Sequence, residues 1–74
     1  MTELELEVQD GDIIITLPGS SYTVTYYKPM NSPQLLARRI ASRDDPRVAM
    51  RHAEFLAAAW RLANNKARKL GWIV

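Results

Sequence analysis

The sequence predicts an α+β domain: a three-stranded antiparallel meander, then a short helix, then a long carboxy-terminal helix packed on the sheet. Three observations lead there. Residues 3–17 alternate apolar with polar around an Asp-Gly pair, the pattern of a β-hairpin. A second alternating run, Tyr22 to Tyr27, follows a Pro-Gly-Ser-Ser turn. From Ser32 onward the pattern turns helical, and a polar residue followed by proline opens each of two helical stretches.

In the first strand Leu4, Leu6 and Val8 alternate with Glu3, Glu5, Glu7 and Gln9. Asp10-Gly11 suits a two-residue type I′ turn, whose centres both need positive φ. Such a turn pairs Gln9 with Asp12 and sets Val8 against Ile13, Leu6 against Ile15 and Leu4 against Leu17. A slip of one residue would break every one of these apolar pairs. A four-residue loop at Pro18–Ser21 then sets Leu17 against Tyr22, Ile15 against Val24 and Ile13 against Tyr26. The opposite face collects Glu3, Glu5, Glu7, Ile14, Thr16, Thr23, Thr25 and Tyr27. The third strand, Thr23 to Tyr27, is then the less charged free edge.

Ser32 and Pro33 predict the start of a short helix running to about Ser42, with Leu36 and Ile40 on one face. Asp44, Asp45 and Pro46 predict the start of the long helix. It runs to about Leu70, where Gly71 supplies a left-handed cap. Ala49, Ala53, Leu56, Trp60, Ala63, Ala67 and Leu70 form its apolar stripe, and Val48, Phe55, Ala59 and Leu62 widen it on one flank. A single helix over 33–70, kinked at Pro46, is the competing reading.

At 74 residues and 8.4 kDa this is one small domain over residues 1–74, with the meander in 1–28 and the helical part in 32–74. The charge is divided: net −4 over residues 1–30 and net +6 over residues 31–74, within an overall +2. With no cysteine and one histidine, a disulfide framework, a structural zinc site and a cysteine nucleophile are excluded within one chain. No apolar run approaches the roughly 20 residues that span a bilayer. The amino terminus is acidic and alternating, unlike a secretory leader. The expectation is a soluble, cytoplasmic domain without membrane contact.

Gly11, Gly19 and Gly71 each have a turn or cap to make, which leaves no glycine for a phosphate-binding loop. His52 lies near the apolar stripe among Val48, Ala49, Phe55 and Leu56, none of which can orient its ring or share its proton. A histidine at the core margin is the simplest reading. Glu3, Glu5 and Glu7, spaced nearly 7 Å apart, suit an edge protected from aggregation better than a cation site. An acidic docking surface for a basic partner is the alternative. Tyr22, Tyr26 and Trp60 fall on inner faces and read as core.

Two surfaces stand out. Arg39, Arg43, Arg47 and Arg51 recur every four residues, and Arg61, Arg68 and Lys69 extend positive charge along the long helix. These seven form a candidate polyanion contact, although Asp44 and Asp45 interrupt them and no aromatic residue is clearly interleaved. Val48, Phe55, Ala59, Leu62 and Trp72 form a candidate apolar interface.

The strand-strand-strand-helix order resembles the small DNA-binding domains at the amino termini of some integrases. The resemblance is of element order alone, and implies reading DNA with the exposed sheet face. Here Glu3, Glu5 and Glu7 occupy that face, so phosphate contact would fall to the helices.

The function expected from these residues is a small non-enzymatic protein-interaction module, homodimeric or bound to another protein. Nucleic-acid binding or regulation through the basic helical face is the alternative. No cofactor, metal or small-molecule substrate is implied.

Overall fold

A computed structural model of the chain describes residues 4–40 and 44–73. It is an α+β fold: a four-stranded antiparallel sheet in the order β1-β2-β3-β4, with one helix packed on it. The elements are β1 (Glu5–Gln9), β2 (Asp12–Thr16), β3 (Thr23–Tyr27), β4 (Leu36–Ile40) and α1 (His52–Leu70).

The first three strands follow the sequence pattern. Asp10 and Gly11 take φ of 46° and 83°, the left-handed pair a type I′ turn demands. Gln9 pairs with Asp12, Val8 with Ile13 and Leu6 with Ile15. Ile15 then pairs with Val24 and Ile13 with Tyr26. The Leu17 N–H donates to the Tyr22 carbonyl at 3.2 Å and closes the Pro18–Ser21 loop.

Within the expected short helix over 33–42, residues 36–40 instead form β4, and residues 41–42 lie outside the described residues. Its opening signal is present and spent locally. Ser32 Oγ accepts the Gln34 N–H at 3.2 Å, the bond a helix N-cap would make, and the Ser32 N–H donates to the Pro29 carbonyl. Beyond that turn Leu35 is buried and the chain pairs with β3. A ten-residue helix is marginal in water whatever its propensity. The open ladder of β3 offers backbone partners and extends the sheet to four strands. Tyr27 pairs with Leu36 and Tyr26 with Ala37, then Thr25 with Arg39 and Val24 with Ile40. Arg38 is the extra residue at this bulge. The fourth strand also departs from the three-strand order of the integrase domains.

The long helix starts at His52, not at Pro46. Asp45 makes a turn rather than a cap: its Oδ1 accepts the Arg47 N–H at 2.9 Å and its carbonyl accepts the Val48 N–H at 3.3 Å. Its Oδ2 is drawn to the sheet, where it accepts the Ser21 N–H at 2.7 Å. The helix takes its cap from elsewhere. Asp44 Oδ1 accepts the His52 N–H at 2.8 Å, and Glu54 Oε1 reaches back to the Arg51 N–H at 3.2 Å. At the other end Gly71 (φ 80°) lets the Trp72 and Gly71 N–H groups return to the Ala67 and Arg68 carbonyls.

The core lies between α1 and one face of the sheet. Ile13, Ile15, Leu17, Tyr22, Val24 and Tyr26 come from the meander and Leu35 from the approach to β4. Phe55, Ala59, Ala63 and Ala67 come from the helix. The buried face of α1 is thus rotated from the expected stripe. Ala53 is exposed, and Trp60 and Leu70 are each 42% exposed. Three alanines spaced four apart form a smooth ridge that lets the helix backbone sit close to the sheet. Trp60 is too bulky for that line and leans on the Tyr26 ring from the side, 5.5 Å between centroids.

α1 packs mainly on the central strands β2 and β3. The two outer strands are less covered by the helix. Val8 and Ile40 belong to the helix side of the sheet by register, yet are 38% and 49% exposed. Among the described residues, no helix is long and apolar enough to cross a membrane.

Candidate interaction surfaces

The six candidate polyanion contacts among the described residues are divided between β4, the segment before α1 and α1 itself. The four-residue spacing of Arg39, Arg43, Arg47 and Arg51 has meaning only on a helix, whereas Arg39 lies in β4 and Arg47 and Arg51 precede α1. The Arg39 backbone pairs with Thr25 in β4. Arg43 lies outside the described residues. Arg47 is committed to Asp45: Nη2 meets Oδ2 at 2.8 Å and Nε meets Oδ1 at 3.0 Å. Arg51, just before α1, is exposed, as are Arg61, Arg68 and Lys69 on the helix itself.

Asp45 is the one buried charged side chain among the described residues, at 5% exposure. Hydrogen bonds from the Arg47 guanidinium, then from the Arg47 and Ser21 backbone N–H groups, hold its carboxyl well below the usual carboxylate range. Tyr22 completes the junction. Its hydroxyl accepts the Asp45 N–H at 2.9 Å and donates to the Met50 carbonyl at 2.9 Å. This junction fixes the segment leading into α1. Tyr22→Phe removes both bonds and strands a buried N–H and a carbonyl. A loss of about 1–3 kcal/mol is expected in urea unfolding, with the Tyr22 ring position still filled.

His52 sits at the core margin, its ring 5.7 Å from that of Tyr22. Its Nε2 is buried with no hydrogen-bond partner among the described residues.

The candidate apolar interface divides as well. Phe55 and Ala59 are fully buried in the core. Val48 and Trp72 are half-buried against it, and Leu62 is exposed at 38%. Other surfaces replace it. A groove of about 540 Å³ runs beside α1, lined by Pro33, Gln34, Trp60, Arg61, Asn64, Asn65, Arg68 and Ile73. Asn64 Nδ2 donates to the Trp60 carbonyl at 2.7 Å, and Arg68 Nη1 to Asn65 Oδ1 at 3.4 Å. Trp60, read as core from the sequence, thus stands beside Arg61 at the surface.

Among the described residues the sheet has two unpaired edges of opposite charge. β1 carries Glu5 and Glu7, and β4 carries Arg38 and Arg39. Glu5 and Glu7 pair with Thr16 and Ile14, on the face away from α1. The Arg38 guanidinium lies 4.3 Å from the Tyr27 ring centroid and 3.2 Å from Asp12 Oδ2, on that same outer face. Leu36, paired with Tyr27, is 46% exposed there.

No protein-family model, curated protein or solved structure matches the chain. The surfaces themselves carry the functional reading.

The β4 edge was missed from sequence because Leu36–Ile40 carries no alternating pattern. The one available signal was the unpaired third strand, which needs a neighbour or a partner.

Proposed function

We propose that this chain is a small non-enzymatic interaction module whose partner is another copy of itself. One observation carries the reading: among the described residues neither outer strand pairs with a further strand, and α1 packs mainly on the two central ones. Exposed Val8, Leu36 and Ile40 give those edges apolar surface that water does not satisfy. Domains of this size bury too little surface to be generously stable alone, so association also adds stability. Sedimentation velocity over about 5 µM to 1 mM tests it. Mass rising above the 8.4 kDa protomer is the expected result. A constant protomer mass overturns the reading.

A second reading is favoured by the Trp60 groove. An aromatic face beside arginine is the combination single-stranded nucleic acid uses, bases stacking while guanidinium groups meet phosphate. Anisotropy of labelled random single-stranded and duplex nucleic acid at about 50 and 200 mM salt tests it. Binding that favours the single strand, weakens with salt and is lost in Trp60→Ala supports it. No binding at either salt removes it.

A further inference from the structure

We infer that copies of this chain join edge to edge, the basic β4 of one pairing with the acidic β1 of the next. This rests on the self-association reading and names the surfaces that make the contact. The argument begins from charge. Residues Glu5–Gln9 hold two acidic side chains and no basic one, and residues Leu36–Ile40 hold two basic side chains and no acidic one. Like charges set opposite each other across a strand pair repel, so neither edge suits its own kind. The same charges favour the mixed pair. Glutamates on β1 therefore block β1 against β1 without blocking β1 against β4.

Direction fits. Three antiparallel steps separate β1 from β4, so the two run in opposite directions within one sheet. A second copy in the same orientation sets its β1 antiparallel to the first copy's β4. Both helices then stay on one side. The strands match in length, at five residues each, and neither contains proline, so their ladders are complete.

Both faces of the junction also fit. On the outer face, Arg38 of one copy approaches Glu5 and Glu7 of the next. Arg38 spends one donor on Asp12, and a guanidinium has five. On the helix side, the same register sets Ile40 of one copy against Leu6 of the next and Ala37 against the half-exposed Val8, covering apolar surface that α1 leaves open. The contact is heterologous, because two different edges meet. It closes only as a ring, and otherwise runs on as a row of protomers.

Charge reversal tests this in a way that separates the pairing from self-association itself. The variants are E5K/E7K on β1 and R38E/R39E on β4, each checked for native circular dichroism. Alone, each is expected to weaken association by roughly tenfold or more, as attractive cross-strand pairs become repulsive. Mixed in equal amounts, they are expected to associate again, because each then offers an edge complementary to the other. Wild-type association should also weaken between about 50 and 500 mM salt. Should R38E/R39E fail to fold, E5K/E7K and the salt series still decide. Wild-type association untouched by E5K/E7K and by salt overturns the edge pairing and leaves self-association standing. A wild-type chain that never exceeds protomer mass overturns both.

Discussion

Phe55→Ala is expected to cost the protein a large share of its stability at 37 °C. Phe55 is the one large helix side chain wholly inside the core, and its ring stacks on Tyr22 at 5.2 Å. Its other neighbours along the helix ridge are alanines, which cannot fill the space it leaves. Truncating a buried phenylalanine costs about 3–5 kcal/mol. A domain of this length has on the order of 4–11 kcal/mol in total, so the change removes a large share of it. The drop in Tm should exceed about 12 °C. Leu62→Ala, on the exposed side of α1, should stay within about 0.5 kcal/mol of the parent. Equal effects at the two positions would contradict the helix orientation.

Asp45→Asn is expected to be the most damaging polar substitution, with a fall in Tm on the order of 10 °C at pH 7. Asp45 is buried, and its carboxylate gathers the Ser21 N–H, the Arg47 N–H and the Arg47 guanidinium. The amide that replaces it has one acceptor oxygen and no charge. The pH dependence follows from the same geometry. The folded carboxyl titrates below its unfolded value of about 3.9, so folding favours the ionised form. That stabilisation is complete well above the unfolded value and drains away as pH falls below about 4. Thermal unfolding of both proteins at pH 7, 5 and 3 isolates it from the other carboxylates. The Tm gap between them should hold from pH 7 to 5 and narrow at pH 3. A gap of constant size would place the effect in packing rather than in charge.

The meander was legible because two independent signals agreed. The Asp10-Gly11 turn chemistry fixed a register, and strict alternation of Leu6 and Val8 against Ile13 and Ile15 demanded the same one. Nothing comparable marked β4. Leucine, alanine and arginine all favour helices, and the Ser32-Pro33 start makes its capping bond before the chain turns away. The strand exists because β3 had an unfilled edge, which is tertiary information. The false start of α1 has the same origin. Asp44-Asp45-Pro46 has the composition of a helix start, but the Asp45 carboxylate goes to Ser21, which is 24 residues distant in sequence. Ranking by hydrophobic size placed Trp60 inside, whereas close approach of helix to sheet selected alanine. Of the candidate site, Glu5 and Glu7 could be read directly as an acidic edge. Their basic counterpart could not, because Arg38 and Arg39 looked like part of a helical face.

Residue-resolved amide hydrogen exchange, measured from about 20 µM to 1 mM, tests the central claim most directly. The outward-facing amides of Glu5–Gln9 and Leu36–Ile40 should gain protection together as concentration rises, while the exposed flank of α1 around Arg61 stays unchanged. Protection that appears around Trp60 and Arg61 instead, with both strand edges still exchanging freely, would contradict assembly through the sheet.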